Sequence, residues 1–514
     1  MRSVSEGTTA STLTSGSQFT SPPSLGVSTG PTSPSFSNPD GLSEFVDRDV
    51  IPPKPLDGPR TLVLCFDGTG DQFDSDNSNV VLLFSMLMKD SPSEQMVYYQ
   101  AGIGTYTIPQ IATPMWSNFS KTLDEMIAWN LDAHVMAGYE FLMTNYQSGD
   151  KICLFGFSRG AYTARALAGM VHKVGLLPRC NHQQVPFAYK MFTRTDEVGW
   201  KQSTAFKKAF TMDVDIEFIG VWDTVCSVGL IPRTLPFTSS NTAIRTFRHA
   251  LSLDEHRAKF KANHYNYPTE EEGKLGTQPG DMPKSGAKKR WATKKTKTDF
   301  EAQFAAQEFH NHKTDVLEVW FAGCHCDVGG GSVPNDDTRN LARIPLRWMI
   351  RQCFLTKTGI RFHADGLRSV GLDPEALFPV VKPRPAALYS LPSADADHVR
   401  DTTGATLVDT SIPQSEEEED YRDALCPIYD QLKLAPYWWV LEVVPLAHRV
   451  QNALHQWFDK LYVNMGRGRI VPTHEPFNVH RSVDIRLKAG ALAAGGPYKP
   501  NAVYPSSMQI NWVD

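Results

Sequence analysis

A short apolar strand that runs through Gly-x-Ser-x-Gly directly into a helix leaves few folds open. That order occurs at Lys151-Ile-Cys-Leu-Phe-Gly-Phe-Ser158-Arg-Gly-Ala161. Ile152 to Phe155 reads as a buried strand, and an alanine-rich helical pattern follows from Ala161 to Val174. Gly156 and Gly160 let the backbone turn tightly without a Cβ clash, so the Ser158 hydroxyl projects from the tip of the turn. The helix N-terminus behind it offers free amides and a positive dipole end to a developing oxyanion. A bare Gly-x-Ser-x-Gly is an ordinary tight turn. With both flanks correct, Ser158 is a candidate nucleophile.

Other apolar runs repeat the pattern. Thr61 to Phe66 stops at Asp67-Gly-Thr-Gly70, Met96 to Tyr99 at Gly102-Ile-Gly104, and Ile216 to Val221 at Trp222-Asp-Thr224. Val316 to Phe321 stops at Gly323-Cys-His-Cys-Asp-Val-Gly-Gly-Gly331. Between them, Leu123, Ile127, Leu131, Val135 and Tyr139 recur at helical spacing, and Ile344 to Phe354 reads as an amphipathic helix. Strands alternating with helices predict an α/β fold, a doubly wound, mostly parallel sheet covered on both faces. The carboxyl ends of such strands border the ligand crevice, so Ser158, Asp223 and His325 can converge although far apart in the chain.

With 514 residues, 41% of them hydrophobic, the chain can bury a large core. Its net charge of −5 argues against a nucleic-acid partner. Scattered cysteines within apolar runs fit a reducing compartment better than a disulfide framework. Neither a secretory signal nor an apolar run of about 18 residues is visible, so a cytoplasmic protein, at most peripheral to a membrane, is expected. Residues 1–58, rich in Ser, Thr, Gly and Pro, are expected to be a disordered tail. A catalytic domain is expected over 59–355 and a C-terminal extension packed on it over 356–514. Two charged inserts, about 268–298 and 395–420, read as exposed, disordered loops, the second closing on Glu416 to Glu419. The clustered aromatics from Tyr437 to Tyr462 suit either a membrane interface or packing against the core.

A serine hydroxyl needs a base to take its proton and a carboxylate to orient that base. Of His249, His256, His325, His474 and His480, only His325 directly follows an apolar strand within a glycine-rich segment, which makes it the candidate base. His256 and His480 are the rivals. Asp223, at its strand end, is the candidate acid; Asp327 is the alternate, suited to capping the following helix or bracing the glycine loop, and Asp254 reads as a helical residue in surface or structural pairing. The oxyanion hole is expected to use the backbone N–H of Arg159 and that of Gly68 or Thr69. Asp67-Gly-Thr69 resembles part of an aspartyl-phosphatase signature, but Cys65 occupies the place of its second aspartate. Cys324-His-Cys326 would point its histidine away from both thiols on a strand, so no metal and no other cofactor is assigned.

Six segments together resemble a known family: Leu64-Cys-Phe-Asp-Gly-Thr69, Tyr99-Gln-Ala-Gly-Ile-Gly-Thr105, Leu154-Phe-Gly-Phe-Ser-Arg-Gly-Ala-Tyr-Thr-Ala-Arg165, Val221-Trp-Asp-Thr-Val225, Arg248-His-Ala-Leu-Ser-Leu-Asp-Glu-His-Arg257 and His325-Cys-Asp-Val-Gly-Gly-Gly331. They are similar to the uncharacterised α/β-hydrolase family whose bacterial members include the phospholipase effectors of type VI secretion. The resemblance spans roughly 60–351, with a weaker echo at Val479-His-Arg-Ser-Val483 and Tyr498-Lys-Pro-Asn501. It implies a Ser-Asp-His triad at Ser158, Asp223 and His325 acting on phospholipid esters, without fixing the substrate of this chain. The expected activity is that of a serine esterase or lipase. A catalytically inactive scaffold and a thioesterase or peptidase using the same triad are the alternatives.

Overall fold

The computed structural model describes residues 49–54, 58–102, 116–225, 235–238, 241, 243–267, 276–277, 282, 313–391, 415–451, 457–473 and 476–514, with backbone only over 116–130, 447–451 and 457–459. Its strands are β1 (Val50–Ile51), β2 (Thr61–Phe66), β3 (Gln95–Gln100), β4 (Lys151–Phe157), β5 (Ile216–Trp222), β6 (Ile244–Ser252), β7 (Asp315–Phe321), β8 (Phe362–His363), β9 (Leu446–Gln451), β10 (Trp457–Tyr462), β11 (Phe477–His480) and β12 (Ile510–Val513). Eight of them form one sheet in the order β12-β11-β7-β6-β5-β4-β2-β3, and all its described pairings are parallel. The chain moves outward from β2 to β3, then returns to the other side of β2 for β4 and continues in that direction. The order therefore reverses between β2 and β4, where a parallel sheet opens a crevice at its carboxyl edge.

Both faces of the sheet are covered, as the unbroken apolar runs require. Leu62, Leu64 and Phe66 of β2 pack on the face carrying α2 (Trp116–Asn145) and α3 (Ser158–Val174). Their neighbours Val63 and Cys65 point to the opposite face, toward α1 (Asn79–Met86) and the helix Arg343–Leu355. That second helix lacks the solvent face expected of an amphipathic one. Arg347 and Arg351 are buried along with Trp348 and Ile350.

Their partners correct the reading of the second charged insert. Glu416 to Glu419 do not lie in a solvated loop but open the helix Glu416–Ala424, capped by Ser415. Arg347 binds Asp420 and Asp423, Arg351 binds Glu416, and Arg384 reaches Glu417 and Asp420. The four acidic residues also suit the positive end of the helix dipole. Replacing Arg347 by alanine would leave Asp420 to Arg384 and Asp423 to Arg343 alone, with an expected loss of about 1–3 kcal/mol in denaturant unfolding. The remainder of that insert, 392–414, and nearly all of 268–298 lie outside the described residues.

Order also begins before the expected boundary at residue 58, because β1 pairs antiparallel with β8. Residues 1–48 lie outside the described residues. Toward the other end, β11 and β12 lie next to β7 and extend the same sheet, so residues beyond 356 contribute strands to it.

Candidate active site

The elbow glycines are required by close approach. A Cβ on Gly160 would sit 2.3 Å from the carbonyl oxygens of Phe66 and Asp67, and one on Gly156 would sit 2.6 Å from the Gly160 carbonyl. The strain of the turn falls on the serine itself, whose φ of 57° lies in the left-handed region. Asp223, just past β5, is held in the same region with a φ of 42°. A backbone hydrogen bond from Asp223 to the Ala250 carbonyl and another from Thr224 to His249 Nε2 hold it there. His249 thus accepts at Nε2 and donates from Nδ1 to Glu318 at 2.7 Å, so it braces the Asp223 loop from beneath.

His325 opens a short helix, His325–Gly329, rather than continuing a strand. The strand alternation expected for Cys324-His325-Cys326 is therefore absent. Asp327 caps this helix, accepting the Cys324 N–H at 2.8 Å, and also accepts from Ser332 in the glycine loop and from the Tyr429 amide. Burial pushes its carboxyl up to about 7.

Ser158, His325 and Asp223 form a continuous hydrogen-bonded chain. Ser158 Oγ lies 2.8 Å from His325 Nε2, and His325 Nδ1 lies 2.5 Å from Asp223 Oδ2. A carboxylate on Nδ1 assigns the proton to that nitrogen, leaving the Nε2 lone pair for the serine hydroxyl. Burial pulls the His325 imidazole below its usual value and outweighs the opposing pull of Asp223. Burial by itself would raise the Asp223 carboxyl. The Arg469 guanidinium and the His325 hydrogen bond overcome that and hold it well below the usual carboxylate range. Arg469 was not visible as a site residue in sequence, because it lies 246 positions from Asp223 and outside any motif.

The expected oxyanion donors differ in their availability. The Gly68 amide is engaged by its own neighbour, donating to Asp67 Oδ1 at 2.8 Å, which removes it as the second donor. Asp67 is saturated besides, by the Ser78 and Tyr99 hydroxyls, so it stiffens the loop after β2. Thr69 and Arg159 remain as the candidate amide donors.

The rival histidines are elsewhere. His256 donates from Nε2 to Asp430 at 2.8 Å and from Nδ1 to the Gly466 carbonyl at 3.0 Å, so neither nitrogen is left to accept a proton. His480 caps the helix Arg481–Ala489 and stacks on Phe321. Burial drives it down to about 3. His474 lies outside the described residues. Asp254 is not helical: it is buried in the turn after β6, where it accepts from the Gly323 amide, the Tyr498 hydroxyl and the Asn501 amide. It thereby ties the His325 loop to the C-terminal Tyr498–Asn501 segment. Among the described residues, no group of three or more metal-ligating side chains is present.

A protein family described as T6SS phospholipase effector Tle1-like, catalytic domain, matches residues 60–352. An uncharacterized protein of Saccharomyces cerevisiae, YEL023C, is 28% identical over 86% of this chain and 81% of its own. Two solved structures are similar in part. One is an uncharacterized protein from Pseudomonas aeruginosa, with 17% identity over 62% of this chain and 49% of that one at a TM-score of 0.34. The other is the Tle1 effector bound to the VgrG spike from the Type 6 secretion system, with 16% identity over 55% of this chain and 53% of that one at a TM-score of 0.27. The chain thus spans about half the length of these two solved chains.

Proposed function

Because this chain belongs to the Tle1-like phospholipase effector family through its catalytic domain, we propose that it is a serine hydrolase of lipid acyl esters. The observation that carries this reading is the Ser158–His325–Asp223 chain, with hydrogen bonds of 2.8 and 2.5 Å at the carboxyl edge of the sheet. In this reading His325 Nε2 takes the hydroxyl proton as Ser158 Oγ attacks the ester carbonyl. The resulting imidazolium is stabilised by Asp223, and the oxyanion is met by the amides of Arg159 and Thr69. His325 then protonates the leaving alcohol, and water, deprotonated by the same nitrogen, releases the acid from the acyl-enzyme. The test is turnover of p-nitrophenyl esters of varied chain length and of phospholipid vesicles by wild type and Ser158→Ala. The reading expects activity in the first and none above background in the second; equal turnover would refute it.

Peripheral contact with a lipid surface is part of the same reading. Tyr437 is 70% exposed, and Leu434, Val440, Val443 and Met465 are exposed with it. The adjoining Trp438 packs on Phe260, which in turn packs edge-on against the His325 ring. Among the described residues no helix is long and apolar enough to cross a membrane. Replacing Tyr437, Val440 and Val443 by serine should reduce flotation with vesicles while leaving turnover of a soluble ester unchanged. Unaltered flotation would count against the contact.

A further inference from the structure

Asp223 is fully buried, and a buried carboxylate must be paired or it takes a proton. Its Oδ2 meets His325, and its Oδ1 accepts the Ser252 amide at 2.9 Å. A second cation approaches from the C-terminal part of the chain, beyond the family match at 60–352. Arg469 Nη1 lies 2.5 Å from Asp223 Oδ1 and Nη2 lies 2.8 Å from Oδ2. The remaining donors reach the Ser252 carbonyl and the Phe260 carbonyl. The guanidinium is as deeply buried as the carboxylate it holds. Its own backbone is fixed by the Val503 amide on the Arg469 carbonyl.

We propose that Arg469 is a positioning residue for the catalytic chain, its planar fork fixing the Asp223 carboxylate so that Oδ2 faces His325 Nδ1 and its charge keeping the buried pair electrically balanced. The proposal rests on the enzymatic reading above. Without the guanidinium each carboxylate oxygen would keep one bond, to His325 and to the Ser252 amide, whereas the two parallel N–H···O bonds of the fork fix the plane of the whole group. The same guanidinium ties the ends of β5 and β6 to the turn that carries Phe260, whose ring lies 4.9 Å from that of His325. One side chain therefore sets the acid and the wall beside the base.

The charge has a consequence that geometry alone does not. The groups facing the Asp223–His325 pair are Arg469, Glu255 and Arg257, with Lys261 beside Arg469 and Glu442 beside Lys261. Without Arg469 the buried pair carries an uncompensated negative charge. Its first proton then binds at higher pH, whichever of the two residues takes it.

The test compares wild type, Arg469→Met and Arg469→Lys by pH profiles of kcat/KM on a soluble ester, and by NMR titration of the His325 imidazole. In Arg469→Met the acid limb and the imidazole titration should both move up by about one pH unit or more. Its kcat should fall roughly 100-fold, with KM little changed. Arg469→Lys restores the charge without the fork, so its limb should return toward wild type while kcat stays low. An unmoved limb in folded Arg469→Met would overturn the proposal. Should Arg469→Met fail to fold, wild-type kcat in Arg469→Lys would overturn it, and reduced kcat at an unshifted limb would support it. Failure of the enzymatic reading is distinguishable, because it appears as no turnover by the wild type itself.

Discussion

Two histidine–aspartate pairs stand in this molecule with nearly the same hydrogen bond and opposite properties. His325 meets Asp223 at 2.5 Å and His256 meets Asp430 at 2.8 Å. The difference is what the second ring nitrogen finds. In the first pair it faces the Ser158 hydroxyl, which can give up a proton; in the second it faces the Gly466 carbonyl, which can only accept one. Burial lowers His325 despite its carboxylate. Around His256 the burial penalty is outweighed by Asp430 and the Gly466 carbonyl, and the imidazole is raised above its usual value. In the proposed reading, a histidine beside an aspartate serves as a base or as a structural cation according to its other neighbour.

The largest effect should separate the pairs outright. His325→Ala and Ser158→Ala are each expected to lower kcat by roughly 10⁴–10⁶-fold, while His256→Ala stays within about tenfold of wild type in folded protein. Comparable losses at His256 would erase the distinction. Next in size is Asp223→Asn, which favours the wrong His325 tautomer and should cost about 10⁴-fold in kcat. Asp430→Asn, read by the same assay, should leave kcat nearly unchanged.

The pH profile sharpens the contrast further. Since His325 titrates below the ordinary imidazole value of about 6.5, the acid limb of kcat/KM should also lie below that value. The smallest effect is in stability. His256 is raised, so its contribution is complete below its unfolded value of about 6.5 and fades as pH rises through its folded one. Asp430 is depressed to about 2, so its share persists above its unfolded value and fades only as pH falls toward 2. Asp430→Asn should therefore cost about 1–3 kcal/mol near pH 5.5 and less near pH 9, measured by denaturant unfolding. A cost that does not vary between those two conditions would remove the charge from the account.

The same comparison shows which parts of the molecule were legible in sequence. Ser158, Asp223 and His325 each follow a strand end, and strand ends are marked locally by apolar runs stopping at glycine or polar residues. The parallel sheet was readable for the same reason. β6 was not, because Arg245, Arg248 and His249 interrupt its apolar character. Their polarity is satisfied by partners on other elements: Arg248 by Asp315 and Gln352, and His249 by Glu318. The acidic run at Glu416–Glu419 misled in the same way, since its arginines lie on separate segments. Arg469 is likewise a matter of three-dimensional pairing, which no spacing rule encodes. Fold-positioning residues with local signatures were found; residues whose meaning lies in a distant partner were not.

The central claim is that the Ser158 hydroxyl is activated by His325 and not by any other histidine. A fluorophosphonate probe forms a covalent adduct only with an activated serine, and peptide mass spectrometry locates it. The account predicts an adduct on Ser158 in wild type and in His256→Ala, and none in His325→Ala. Folded wild-type protein that carries no adduct, or carries it on another serine, would contradict it.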